Sequence, residues 1–143
     1  MSQVNRFLTD TNVLIRLIVR DDEDKFRTMV ELAKKVENHE VTLIIPTVVI
    51  AECCWLLKSF YQLEKSLIKE YLTDILQSVN VEPEEETVIE ALRLYAEKNV
   101  DFADALLSVK SSSTLPVLTW DKKDFNRLNC EYFSPNELIQ TEK

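Results

Sequence analysis

The 143-residue chain contains no glycine. Without glycine there is no Walker loop and no GxGxxG turn, so the usual glycine-rich phosphate cradles are excluded. A single histidine, His39, leaves scarcely a base for a Ser-His or Cys-His pair and rules out a polyhistidine metal site. His39 follows Asn38 in the polar stretch ENHE and reads as a solvated turn residue. Three cysteines, Cys53, Cys54 and Cys130, are too few and too irregularly spaced for a disulfide framework or a zinc signature, and read as buried free thiols. Basic residues are outnumbered 17 to 25 by acidic ones, for a net charge of -8. That balance argues against a general nucleic-acid-binding surface. Apolar runs are short as well: Val13–Val19 is broken by Arg16, and Ile44–Leu57 by Pro46, Thr47 and Glu52. Neither approaches the roughly 20 residues of a membrane span. The opening MSQVNRFLTD has no basic, apolar and cleavable leader pattern. A cytoplasmic protein without membrane contact is expected. If it is an enzyme, carboxylates must carry its chemistry.

What is present is ordinary globular material. Hydrophobic residues make up 45% and charged residues 29%, which suits one domain over residues 1–143. Five short β-rich runs are expected: Phe7-Leu8 and Pro116–Thr119 as buried strands, with Val41–Ile45, Val79–Val81 and Glu131–Phe133. Between them lie helical patterns, from Asn12 as cap to Arg20, from Asp21 through Val36, and from Val48 to about Tyr61. The others are Leu63–Leu76, a segment around Val88–Tyr95, and DFADALLSVKSSS. The helix from Val48 is apolar nearly all round in its first half and is expected to be deeply packed. Alternating strands and helices imply an α/β fold with a parallel sheet covered on both faces. Ligands in such sheets bind beyond the carboxyl ends of the strands, where Asp10 and Asp121 stand. Left-handed backbone positions, in the absence of glycine, fall to Asn38, Asn80, Asn99 and Asn129.

Four acidic segments draw attention. Asp10, in FLTDTN, is either a turn residue or a site residue. Glu52 is the only charged residue from Val41 to Leu57, so it is either a compensated site carboxylate or part of a narrow wet stripe with Lys58 or Ser59. Asp101 and Asp104 share a helix face, and the spacing recurs at Asp121 and Asp124. Within each pair one carboxylate can cap its helix while the other binds. Brought together by a parallel sheet, such carboxylates repel unless a hard cation neutralises them, and oxygen-only ligands suit Mg²⁺ or Mn²⁺.

The order DTNVL, Ala51-Glu52, DFADALL and LTWDKKDF resembles the PIN-domain nucleases, closest to VapC-type toxins, from Asp10 to the terminal SPNELI. The resemblance implies a three-layer sandwich around a central, mostly parallel sheet of about five strands. It also implies metal-dependent ribonuclease activity. Carried over, the acidic ligands are Asp10, Glu52, Asp104 and Asp121, with Asp101 as an extra ligand and Asp124 as a cap. Thr11, Asn12 and Thr119 would orient carboxylates or water. Arg16 and Arg20 would either touch the RNA backbone, pair with the Asp21–Asp24 run or make a dimer contact, and the same alternatives are open for Lys58, Lys65 and Lys69. A homodimer and an inhibitory antitoxin protein are the implied partners. Two rival readings are phosphoryl transfer through an aspartyl nucleophile, for which Asn12 stands where a second Asp belongs, and a non-catalytic interaction domain.

Overall fold

Three short strands set the frame of the computed structural model, which describes residues 4–140. The start of the stretch searched for a leader, residues 1–3, lies outside the described residues. Strands β1 (Arg6–Leu8), β2 (Thr42–Ile45) and β3 (Val81–Pro83) pair in parallel in that order, with Phe7 opposite Leu43 and Leu43 opposite Val81. A second parallel pair joins β4 (Val117–Leu118) to β5 (Tyr132–Phe133). Each of the five expected runs meets a parallel strand, although the third begins only at Val81, the last residue of the expected Val79–Val81, and the strands are divided into sheets of three and two.

Helices separate consecutive strands. Between β1 and β2 run α1 (Thr11–Ile18) and α2 (Glu23–Glu37), and between β2 and β3 run α3 (Thr47–Ser59) and α4 (Lys65–Leu76). Then come α5 (Thr87–Glu97) and α6 (Phe102–Lys110) before β4, α7 (Lys122–Leu128) before β5, and α8 (Pro135–Gln140). Local chemistry explains several boundaries. Asp22 accepts a hydrogen bond from the Lys25 N–H, 3.1 Å, at the start of α2. Pro46 leads into α3. Ser134 and Glu137 exchange reciprocal side-chain to backbone bonds, each 3.2 Å, a capping box that opens α8.

The helices supply most of the core. Leu14 and Ile15 of α1, Ile50 and Leu57 of α3, Ile68 and Leu72 of α4, Leu92 of α5 and Ala105 of α6 close around Ile45 of β2. Burying side chains of this size contributes roughly 1.5–3 kcal/mol each. Among the described residues, no helix is long and apolar enough to cross a membrane.

Three expectations need correction. The β1 strand is not buried: Phe7 and Leu8 point to opposite faces of the sheet and are 45% and 78% exposed, so neither face is covered there, and among the described residues β1 pairs only with β2. Deep packing of α3 holds for one face only. Val48, Glu52 and Trp55 follow one another at helical spacing along a solvent-facing stripe. Of the four asparagines, Asn80, Asn99 and Asn129 have φ of 62°, 54° and 57°, but Asn38 at φ -83° does not. His39 and Gln62 take the remaining left-handed positions.

Candidate metal centre

Six carboxylates of interest fall into two groups. The first is built from β1, α1 and α3. Asp10 follows β1 at the N-cap position of α1, yet its side chain makes no capping bond and is exposed. The next residue, Thr11, is only 5% exposed, and its hydroxyl donates to a carboxylate oxygen of Glu52. Glu52 therefore lies on the wet stripe of α3 and is at the same time tied to the residue beside Asp10. Both carboxylates act on Cys53 beneath them. Burial foremost, then the charges of Glu52 and Asp10, push its thiol up to about 12. The neighbouring Cys54 thiol is raised further, again by burial first. Protonated, buried and free, neither thiol is a nucleophile.

The second group is built from α6 and α7. One carboxylate oxygen from each of Asp104, Asp121 and Asp124 lies within 4.8 Å of the other two. The sequence spacing explains the convergence: Asp104 is in the first turn of α6, and Asp121 and Asp124 are three apart at the start of α7, which packs on α6. Asp121 is held twice. Its N–H donates to the Thr119 hydroxyl, 2.9 Å, and its carboxylate accepts from the Asp124 N–H, 3.1 Å. So Asp121 is the helix cap, and Asp124, expected as the cap, instead presents its carboxylate to the cluster. Its i, i+3 relation to Asp121 was the signal that pointed there. Asp101 occupies the N-cap position of α6 without a side-chain capping bond. Partial burial first, then the charges of Asp101, Asp121 and Asp124, hold the Asp104 carboxyl above the usual aspartate range.

The donor set fits a hard divalent cation. Only oxygens converge, and with metal–oxygen distances of about 2.0–2.6 Å, opposite ligand atoms stand roughly 4–5 Å apart. The 4.8 Å spread of the three aspartates suits that span. Asp10 and Glu52 are not within this three-residue group.

The remaining expected residues are placed as follows. Asn12, expected as the cap of α1, is instead its second residue, since Asp10 holds the N-cap position; it is exposed and makes no side-chain hydrogen bond among the described residues. Arg16 pairs with Asp21, and Arg20 pairs with Glu23 at 2.9 Å while lying over the Phe26 ring. The acidic run after α1 thus engages both arginines. Lys65 donates to the Val100 carbonyl at 2.9 Å and stands over the Tyr95 ring. Desolvation lowers its pKa, against the opposing pull of Asp101 and Asp124. A larger cavity of about 620 Å³ lies elsewhere, under α2 and α4. Its lining, including Leu17, Met29, Val36, Leu43 and Ile75, is mostly apolar and brings no set of carboxylates together.

Comparison with known proteins identifies the family. The PIN domain family matches residues 7–128, a range that includes all six carboxylates. Among curated proteins, the VapC ribonuclease of Aquifex aeolicus (strain VF5) is 30% identical over 108 residues, covering 73% of this chain and 77% of the relative. With a parallel α/β frame, acidic residues beyond its strand ends and a match over most of its length, the chain belongs to the PIN-domain family.

Proposed function

We propose that the protein is a Mg²⁺- or Mn²⁺-dependent endoribonuclease, acting as the toxin of a toxin–antitoxin pair. The observation that carries this reading is the convergence of the Asp104, Asp121 and Asp124 carboxylates within 4.8 Å. The similarity to a relative named as a ribonuclease supports the choice of RNA as substrate.

Asp104, Asp121 and Asp124 would hold the cation, with Asp101 beside them and Asp10 and Glu52 facing the same substrate from β1 and α3. A bound cation supplies positive charge against the scissile phosphate and acidifies water for in-line attack. Thr119 and the α7 backbone fix Asp121, and Thr11 fixes Glu52, so two carboxylates are oriented before substrate arrives. A homodimer and an antitoxin carrying a basic segment complete the reading, the latter because such a segment complements the acidic centre.

The test is cleavage of a mixed RNA pool with Mg²⁺, Mn²⁺ or EDTA, beside Asp10→Asn and Asp104→Asn proteins. Metal-dependent cutting that falls at least about 100-fold in each variant is expected. Hydrolysis of a small phosphoester with no RNA cleavage under either metal would overturn the reading in favour of a phosphatase.

A further inference from the structure

A groove of about 260 Å³ opens beside the acidic centre, and its walls differ in character from the rest of the surface. Trp55 and Lys58 of α3 form one side, and Lys65, Tyr95, Asp101 and Phe102 form the other. Asp101 joins the groove to the metal centre. It lines the cavity, and its charge acts both on Asp104 within the cluster and on Lys65 across the groove.

Two observations identify what the groove would take. Most arginines are consumed by ion pairs with the chain's own acids: Arg6, Arg16, Arg20, Arg27 and Arg93 all have carboxylate partners. Lys58 and Lys65 make no salt bridge among the described residues; Lys25, Lys69, Lys98, Lys122 and Lys123 make none either, but only Lys58 and Lys65 line this groove. The Lys65 ammonium is anchored to the Val100 carbonyl, and Lys58 is exposed nearby. In a chain of net charge -8, two unpaired cations at one groove form a local anion site. Beside them Trp55 leaves 65% of its surface open, although it sits on a helix whose other face is fully packed. An exposed indole flanked by lysines offers a face for base stacking next to charges for a backbone phosphate.

We propose that this groove is a nucleotide subsite of the RNA path, where Trp55 stacks a base next to the scissile bond and Lys58, with Lys65 behind it, receives an adjoining phosphate. The proposal rests on the ribonuclease reading and assigns that site its substrate-positioning residues. The groove volume lies just below the roughly 300 Å³ at which drug-sized ligand pockets begin, a size suited to one nucleotide unit.

Trp55 and Trp120 are the only tryptophans, so Trp120→Phe leaves Trp55 as the sole indole reporter. In a Trp120→Phe, Asp104→Asn protein, a short mixed-sequence single-stranded RNA added with Mg²⁺ should quench Trp55 emission. Adding Lys58→Ala should weaken that binding about tenfold, and Lys58→Arg should restore it. In the active protein, Trp55→Leu and Lys58→Ala should each raise KM about tenfold while changing kcat by less than about twofold. Both side chains are exposed, so these variants keep the core intact. Cleavage with unchanged KM in both variants would overturn the subsite and leave the nuclease standing. Quenching that depends on Lys58 in a protein that cuts no RNA would do the reverse. Quenching by a poly-glutamate peptide but not by RNA would assign the groove to an acidic protein partner and overturn the proposal.

Discussion

Replacing Asp104 by Asn should make the metal-free protein more stable and the metal-loaded protein less so. Asp104 has Asp121 and Asp124 carboxylate oxygens within 4.8 Å. At that separation, each repulsion amounts to about 0.9 kcal/mol in a water-like dielectric, or about 1.7 kcal/mol for two. Asp104 is only partly buried, and salt with a Debye length of about 8 Å screens its open side, roughly halving this to about 1 kcal/mol. Against it stands the favourable position of Asp104 in the first turn of α6. For an exposed acid near a helix N-terminus that is worth about 0.3–1 kcal/mol, here at the low end. Relief of repulsion therefore wins by about 0.5 kcal/mol, or roughly 1–2 °C in Tm for a chain of this size.

The assay is thermal unfolding of both proteins in EDTA and then across a Mg²⁺ titration. Cation binding at about 100 times Kd should add about 2.7 kcal/mol to the wild type, and much less to the variant. The order of melting temperatures should therefore reverse between EDTA and saturating Mg²⁺. The pH dependence has a definite sign. Asp104 is held above the ordinary aspartate range in the fold, so the fold favours its protonated form. Its destabilising contribution is complete at neutral pH and fades as pH falls through the raised value toward the ordinary one. In EDTA, the gap between variant and wild type should close on acidification. A variant that melts below wild type in EDTA, or that gains equally from Mg²⁺, would refute the reasoning.

Two further outcomes are expected. Thr11→Val removes the hydroxyl that donates to Glu52 while keeping the buried shape, and should cost about 1.5–3 kcal/mol in denaturant unfolding with a loss of RNA cleavage; a stable, fully active variant would show that the bond positions nothing. Asn129→Ala places a β-carbon without a compensating side chain at φ 57° and should lose about 1 kcal/mol, whereas Asn129→Gly should be close to neutral. Equal chemical stability of the two would remove the left-handed cap of α7 as a determinant.

The sequence exposed the periodic parts of this fold because periodicity reports burial. The α4 stripe through Ile68, Leu72 and Leu76 and the strand Thr42–Ile45 are both in place, since each has one face that must be dry. It misjudged β1 because two apolar residues specify a strand but not whether anything covers it, and Leu8 lies at an open edge. Glu52 was ambiguous for a related reason. A lone charge on an apolar helix can be buried and compensated or can mark the wet face, and only the placement of α1 against α3 reveals that Glu52 is on the wet face and is nonetheless held by Thr11. That Asp121 caps α7 while Asp124 joins it in the cluster was likewise invisible, because either residue of an i, i+3 pair can cap, and here the Thr119 hydroxyl accepts from the Asp121 N–H while Asp121 accepts from the Asp124 N–H.

An acidic chain that handles a polyanion has to solve a long-range repulsion with a few local charges. Here the solution is partition. Five of the six arginines are committed to neighbouring acids, as in the Arg93 pairs with Glu90 and Glu97, which removes them as sites for phosphate. Carboxylates converge where Asp104, Asp121 and Asp124 meet, with the charge of Asp101 acting on them, a place where a divalent cation would reverse the local sign. Lysines without a salt bridge among the described residues are spread over several elements, but Lys58 and Lys65 are the two that line the groove, across Asp101 from that centre. Under the proposed ribonuclease reading, an RNA strand would find attraction along the short line between groove and cation. The net charge of -8 then does not oppose nuclease function; it weakens binding elsewhere and favours the place where the strand would be cut.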